Sequence, residues 1–157
     1  MGIIVAILLV CGVVIALLMM QYKRPRRGVE VIHSTLDTFK VEYLLERSPV
    51  LVVDPLIDIQ SVVRAWFSWN VVGGTTRPYE EKRVNSAKFL VVHGGSVKAP
   101  VVVTNPAHSE LGVRILVPPH AVLIVPHRWY VEFPGSADMS ITEVDDLVTI
   151  VSKIVGV

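Results

Sequence analysis

Three polar residues in the second half of the chain could bind a metal ion. His108 and Glu110 form a His-x-Glu pair, and His127 follows further along. Imidazole and carboxylate groups are the ligands that iron and related metals take in oxygenases. However, the pair comes directly after Asn105-Pro106, a turn signal where exposed polar residues are expected without any metal. The spacing therefore leaves two interpretations open, a metal centre and a polar loop.

Other catalytic arrangements find less support in the sequence. Cys11 is the only cysteine and lies within an apolar run, and there is no Gly-x-Ser-x-Gly turn for a serine nucleophile. The segment Gly73-Gly74-Thr75-Thr76 lacks the Gly-Lys-Ser/Thr of a phosphate-binding loop and is predicted to be a flexible turn. No motif marks a pair of catalytic carboxylates. We therefore predict no enzyme activity, no catalytic residue and no cofactor.

The first part of the domain is predicted to be mostly helical. Apolar spacing over residues 34–47 favours a helix, although a strand is possible there. The β-branched run Val50–Val53 predicts a buried strand. Asp54-Pro55 then provides an N-cap and a proline at the first helical position, so a helix is expected from Pro55 to about Trp69. Its Trp66 and Trp69 are candidates for partner contact, with packing inside the domain as the alternative.

The second part of the domain has the pattern of a β structure. Residues 70–86 are predicted to be a loop, and short apolar runs separated by Gly and Pro turns then follow. Short, closely spaced strands predict an antiparallel sandwich or barrel. After residues 140–144 comes an apolar stretch, Leu147 to Val155, which Asp145 or Asp146 could cap as a last helix. The five candidate strands cover residues 88–92, 100–103, 113–117, 121–125 and 129–133.

The N-terminal segment, residues 1–22, is predicted to be a transmembrane anchor. It carries no charged side chain, and an eighteen-residue helix covers roughly 27 Å, close to the thickness of a bilayer core. A cleavable signal peptide is the alternative, but the basic n-region and small-residue cleavage site that it needs are missing. The side chains expected to contact lipid are Ile3, Ile4, Val5, Ile7, Leu8, Leu9, Val10, Val13, Val14, Ile15, Leu17 and Leu18.

A basic collar, residues 23–28, follows the apolar segment and sets the expected orientation. Lys23, Arg24, Arg26 and Arg27 resist translocation and would stop transfer. The positive-inside rule therefore predicts a single-pass protein whose N-terminus is outside or lumenal. The remaining residues, 29–157, are predicted to form one domain on the cytoplasmic-equivalent side.

Charge separates the collar from the domain. The chain has fifteen Lys and Arg against fourteen Asp and Glu, a net charge of +1. Four of those cations lie in the collar, which leaves eleven against fourteen acids, about −3, in the rest of the chain. A domain with this balance is not expected to bind nucleic acid.

The sixteen-residue segment from Ile115 to Tyr130 resembles the late motif of cupin and Jumonji-type jelly rolls. In that family a Pro-Gly-Asp type of turn leads into an apolar strand, then a proline-aromatic turn and a metal-binding histidine. Here His120 stands where the acidic turn residue is common. Trp129 or Tyr130 stands where the last metal ligand would be. The resemblance therefore implies the fold without its metal site.

A longer pattern looks like the small cupin-like proteins of large DNA viruses. It begins with Pro49-Val50-Leu51-Val52-Val53-Asp54-Pro55-Leu56 and continues through an aromatic helix into the β region, over about 100 residues. The resemblance implies an α+β chain: one transmembrane helix, then a mainly antiparallel jelly-roll or cupin-like domain with two or three helices.

In function, this resemblance implies a structural protein of a virion membrane, a minor capsid component whose partners are the lipid bilayer and other shell proteins. Two alternatives stay open. One is a membrane-tethered cupin-type oxygenase that uses His108, Glu110 and His127. The other is a cellular membrane adaptor that binds a protein partner along a sheet edge.

Overall fold

Two mainly antiparallel β-sheets and a few helices make up the structure, an α+β fold, in a computed structural model of the chain. The residues that the structure describes are 2–22, 30–54, 66–67, 71–76, 82–108, 110–134 and 139–156. Within these ranges, only the backbone is described for residues 17–22 and 71–76.

Ten strands, two α-helices and one 3₁₀ helix, Val41–Glu46, are seen in the described residues. The α-helices are α1 (Gly2–Tyr22) and α2 (Leu147–Val155). The strands are β1 (Ile32–Thr35), β2 (Val50–Val53), β3 (Val71–Thr76), β4 (Arg83–Val84), β5 (Phe89–His93), β6 (Ala99–Thr104), β7 (Gly112–Val117), β8 (Ala121–Pro126), β9 (Tyr130–Glu132) and β10 (Ser140–Asp145).

The strands pair in a nested pattern. The first sheet has the order β1-β2-β8-β5-β10-β3, and the second has the order β4-β9-β6-β7. Strands β6 and β7 form an antiparallel hairpin, and β5 with β8, β4 with β9 and β3 with β10 are antiparallel pairs around it. One long antiparallel ribbon is thus folded so that successive pairs alternate between the two sheets. Only β1 and β2 pair in parallel among the described strands.

Alternation along the strands divides the apolar residues between two cores. In β5, Leu90 and Val92 belong to the core between the sheets, whereas Phe89 and Val91 belong to a second cluster on the opposite face of the first sheet. Successive side chains point to opposite faces of a strand, so both faces of this sheet are buried. This explains why all six residues of β8 are buried.

The five predicted strands of the β region are confirmed as β5 to β9, each end within one residue or so of its expected place. The last helix is also present as α2. Its N-cap is Asp146, whose carboxylate accepts a hydrogen bond from the Thr149 backbone N–H at 2.9 Å. The Thr149 hydroxyl oxygen in turn accepts from the Asp146 backbone N–H at 2.9 Å. This capping box offsets the weak helix propensity of the Val- and Thr-rich segment.

The helix favoured over residues 34–47 is wrong. Residues 32–35 pair in parallel with β2 instead, which satisfies their backbone groups in the sheet. The Thr38 hydroxyl oxygen accepts a hydrogen bond from the Thr35 backbone N–H at 3.0 Å and ends the strand in a turn. Local side-chain bonds of this kind compete with helix formation. Only Val41–Glu46 is helical, as a 3₁₀ helix that ends at Arg47 in the left-handed region, φ 57°.

The loop predicted for residues 70–86 is wrong in two places. Residues 71–76 form β3, and Arg83–Val84 forms β4. The glycines expected to make a flexible turn, Gly73 and Gly74, lie opposite the register shift between Thr142 and Val144 in β10. Glycine often marks such irregular pairing, because it has no side chain to pack and tolerates unusual backbone angles.

The N-terminal helix α1 approaches α2. The structure describes side chains of α1 for residues 2–16 only. Among the residues whose side chains are described, no helix is long and apolar enough to cross a membrane. The basic collar and most of the helix predicted from Pro55 to Trp69 lie outside the described residues; of the latter, Trp66 is helical and Phe67 is in a bend.

Gly94 is a position where the fold requires glycine. A Cβ atom there would collide with the carbonyl oxygen of Pro118 and come within 3.2 Å of that of Ala121, whose oxygen already accepts the Gly94 N–H at 2.8 Å. Gly94→Ala should therefore lower the free energy of unfolding by about 1–3 kcal/mol, as overpacking does elsewhere. Val97→Ala, at an exposed site in the same loop, is the control for denaturant unfolding. Equal midpoints for the two variants would contradict this account.

Candidate functional site

The residues of the possible metal site are not brought together. His108 lies in the turn between β6 and β7, its N–H bonded to Asn105 O at 3.0 Å, and Glu110 is exposed in the same turn. His127 lies in the turn between β8 and β9. Within the described ranges, no group of three His, Cys, Asp or Glu side chains is close enough to hold a metal ion.

The positions that carry the cupin resemblance are structural in this chain. Trp129 is only 1% exposed and belongs to the core between the sheets. His120 occupies the turn between β7 and β8 with φ 58°, next to a hydrogen bond from Ala121 N to Pro118 O. A buried indole therefore lies where the resemblance would put a last metal ligand.

Asn85 links strands at one end of the two packed sheets through a set of hydrogen bonds. It is fully buried, and its amide nitrogen donates to Val125 O at 3.0 Å and to Pro126 O at 2.9 Å. Its amide oxygen accepts from Ala87 N at 3.0 Å. The Asn85 backbone also donates to Trp129 O and accepts from Arg128 N, both at 2.8 Å. The end of β4 is thus tied to both sides of the β8–β9 turn.

His127 is held against the same end. Its Nδ1 lies 2.9 Å from Ala87 O, so Nδ1 carries the proton and donates to that carbonyl. Burial lowers the pKa of His127, and although the Ala87 hydrogen bond opposes this, the pKa stays below its ordinary value. The imidazole is therefore neutral near pH 7.

A cavity of about 560 Å³ opens beside these residues, and we call it the end cavity. Its polar lining residues are Asn85, Ser86, His127, Arg128, Ser152 and Lys153. The remaining wall consists of Val84, Pro106, Tyr130 and Gly156. The cavity thus lies between the ends of β4 and β9, two turns and the C-terminal half of α2.

An ion-pair network lies behind one wall of the end cavity. Lys153 Nζ is 2.7 Å from Asp145 Oδ2 and 3.3 Å from Glu143 Oε2, and Arg83 is 2.8 Å from Glu143 Oε1. Burial lowers the pKa of Lys153, but the hydrogen bond and charge of Asp145, with those of Glu143, raise it overall. Lys153 is therefore charged, and α2 is fastened to β10 through its polar side.

The exposed side of α2 is apolar. Leu147 and Ile154, seven residues apart on one face, are 76% and 79% exposed, and Val155 is also exposed. Thr149, on the side toward the domain, is buried. Surface helices normally bury their apolar stripe. In α2 the polar side contacts the domain, and much of the apolar side is left uncovered by it.

The predicted anchor residues from Ile3 to Ile15 lie on α1, with side chains between 45% and 78% exposed. The side chains of Leu17 and Leu18, and the four collar cations, are outside the description. Trp66 is half-buried and stacks on Phe39, with ring centroids 3.8 Å apart. Its ring is therefore engaged within the second cluster, on the outer face of the first sheet. Trp69 is outside the described residues.

Sequence reasoning missed the residues that build the end cavity. Asn85 falls within the segment predicted to be a loop, and Arg128 belongs to no motif that marks it as a binding residue. The sequence feature that indicates these residues is the segment Pro126-His127-Arg128. It forms a tight turn between two apolar strands, and such a turn presents polar side chains at the end of the sheet.

Comparison with known proteins does not assign the chain to a family. No protein-family model matches it, and no curated protein matches it significantly.

Proposed function

We propose that this protein is a membrane-anchored structural protein, a minor virion component that links an internal membrane to the capsid shell. The α+β domain is inferred to be a jelly roll. The support is the nested pairing of β3–β10, β4–β9, β5–β8 and β6–β7, since a folded antiparallel ribbon shared between two sheets is the arrangement that jelly rolls use.

The observation that carries the proposal is the uncovered apolar surface of α1. Large aliphatic side chains from Ile3 to Ile15 are exposed around the whole helix. A helix that is apolar on all sides is stable only when protein or lipid surrounds it. The sequence continues without charge to Met20 within a helix of 21 residues, roughly 32 Å at 1.5 Å per residue. A bilayer is the surrounding that fits this length.

The outward face of α2 supports the same arrangement. Leu147, Ile154 and Val155 are exposed on a helix that α1 approaches. Because amphipathic helices place such a face at the headgroup boundary, the end of the domain that carries α2 is proposed to face the membrane. The opposite end and the second sheet then face the shell proteins.

The membrane part is tested by alkaline carbonate extraction of membranes or particles that contain the full chain. The wild type should stay with the lipid. The double substitution Leu9→Asp with Val13→Asp should release it, since each buried carboxylate disfavours insertion by about 2.5–3.5 kcal/mol. Leu45→Asp with Val97→Asp, at exposed apolar sites of the domain, is the matched control and should stay bound. Release of the wild type would overturn the anchor.

The structural role is tested by crosslinking in intact particles. Residues 30–157 should crosslink to shell proteins. A purified particle fraction without this protein would contradict the virion role. Retention in membranes with crosslinks only to a non-shell protein would favour the membrane adaptor instead. The oxygenase alternative gains no support, since His108, Glu110 and His127 are not assembled.

A further inference from the structure

We propose that the end cavity is a binding site for a phosphate group carried by a small organic molecule or a lipid headgroup. The proposal does not depend on the proposed structural role, because it rests on the lining of the cavity alone.

The lining of the end cavity is rich in hydrogen-bond donors. Arg128 and Lys153 are cationic, and Ser86, Ser152 and Tyr130 carry hydroxyl groups. None of the ten lining residues is an Asp or Glu. Donor-rich sites with arginine suit phosphate, since guanidinium and hydroxyl groups can bond several phosphate oxygens at once.

Charge at the cavity is positive and comes chiefly from Arg128. Lys153 is balanced by Asp145 and Glu143, and Glu143 also pairs with Arg83, so these four charges cancel. In the part of the chain that the structure describes, the Arg128 guanidinium makes no ion pair. A second cation lies near one lining residue, since Lys82 Nζ is 5.3 Å from the centre of the Tyr130 ring. An anion would meet an uncompensated guanidinium rather than compete with a carboxylate for it.

The backbone holds Arg128 in an unusual conformation. Its φ of 68° lies in the left-handed region, which residues other than glycine adopt only rarely. The Arg128 N–H bond to Asn85 O, at 2.8 Å, fixes this turn to the buried end of β4. The backbone of Arg128 is thereby held on rigid structure, as the backbone of a recognition residue needs to be.

The size and the apolar wall of the cavity indicate more than a bare ion. A volume of about 560 Å³ is within the range of ligand pockets, roughly 300–1,000 Å³, and exceeds what one phosphate fills. Val84, Pro106 and the Tyr130 ring form an apolar side next to the donors. An organic group attached to the phosphate can pack there.

The test uses the purified full chain in detergent micelles, titrated with three probes: inorganic phosphate, glycerol 3-phosphate and a short-chain phosphatidic acid. Arg128→Asn is the test variant, since asparagine accepts the left-handed conformation and lacks the guanidinium group with its charge. Arg47→Asn is the matched control, because Arg47 also has a positive φ but does not line the cavity. Thermal unfolding of each variant checks that the fold is kept.

We expect at least one probe to bind saturably to the wild type. Its Kd should rise at least tenfold in Arg128→Asn and stay within about twofold of the wild-type value in Arg47→Asn. The ring resonances of His127 should move during the titration and those of exposed His33 should not. Equal binding of glycerol 3-phosphate and the lipid would identify a soluble phosphate monoester as sufficient, whereas binding of the lipid alone would identify a headgroup. No saturable binding, or binding that Arg128→Asn leaves unchanged, would overturn the proposal.

Discussion

Asn85→Ala is expected to lower the free energy of unfolding by roughly 3–5 kcal/mol, a large fraction of the stability of a small domain. The side chain is fully buried and makes three hydrogen bonds to backbone groups of Val125, Pro126 and Ala87. Alanine lacks the side-chain amide, so the backbone groups of Val125, Pro126 and Ala87 stay buried and each loses a hydrogen-bond partner. Leaving a buried donor or acceptor without a partner disfavours folding by about 1–3 kcal/mol each, so the three losses together are comparable to the truncation of a large core side chain.

Denaturant unfolding of the full chain measures this loss. Ser86→Ala is the matched control, since Ser86 is the next residue, is exposed and also lines the end cavity. Its free energy of unfolding should lie within about 0.5 kcal/mol of the wild type. Similar midpoints for the two variants would mean that water replaces the lost amide, and that β4 is held by its backbone bonds to Trp129 and Arg128 alone.

The β region is the part of the fold that the sequence predicts well. Residues 121–126 are a continuous apolar run bounded by Pro118-Pro119 and by a turn at His127-Arg128, and the short length, flanking prolines and β-branched residues favour a strand over a helix. Asp146 similarly marks the start of α2. In β8 local propensity and tertiary packing favour the same structure, whereas in α2 the capping box at Asp146 compensates for weak helix propensity.

Elsewhere, contacts distant in the chain decide the structure. The valines and threonines of Val71–Thr76 favour a strand, but the two glycines between them disfavour one, so the local signal is divided. Pairing with β10, some seventy residues later, forms it. The strand β1 likewise depends on its parallel neighbour β2. Sequence periodicity cannot report pairings of this kind.

The end cavity was beyond sequence prediction for the same reason. Ser86, Arg128 and Lys153 are far apart in the chain and carry no shared motif. They meet because the nested ribbon brings the end of β4 beside the β8–β9 turn, and because the ion pairs of Lys153 hold α2 over that end. The spacing of His108, Glu110 and His127 in the sequence suggests metal chemistry, whereas the groups assembled around His127 in the structure are chiefly hydrogen-bond donors suited to an anion.

His93 should make the domain sensitive to acid. It is 3% exposed at the end of β5, where its Nε2 lies 2.7 Å from the Thr142 hydroxyl. Within the described residues its Nδ1 has no hydrogen-bond partner. Burial lowers the pKa of His93 from 6.5 to about 4. A proton on this ring would bring a charge into the apolar second cluster, with Val91 and Val144 on the same face of the sheet.

The lowered pKa fixes the direction of the pH dependence. Below pH 6.5 the unfolded chain takes up a proton on His93 that the folded chain does not accept until about pH 4, so stability falls as the pH drops through this window. At about 1.4 kcal/mol per pH unit, wild type should lose about 2 kcal/mol from this residue between pH 7 and pH 5. His93→Gln cannot titrate there, so its deficit relative to wild type should shrink by the same amount. His33→Gln, the same change at an exposed histidine of β1, should follow the wild type across the range. Parallel curves for wild type and His93→Gln would show that His93 takes up its proton in the folded state, which would require an opening of the second cluster over the end of β5.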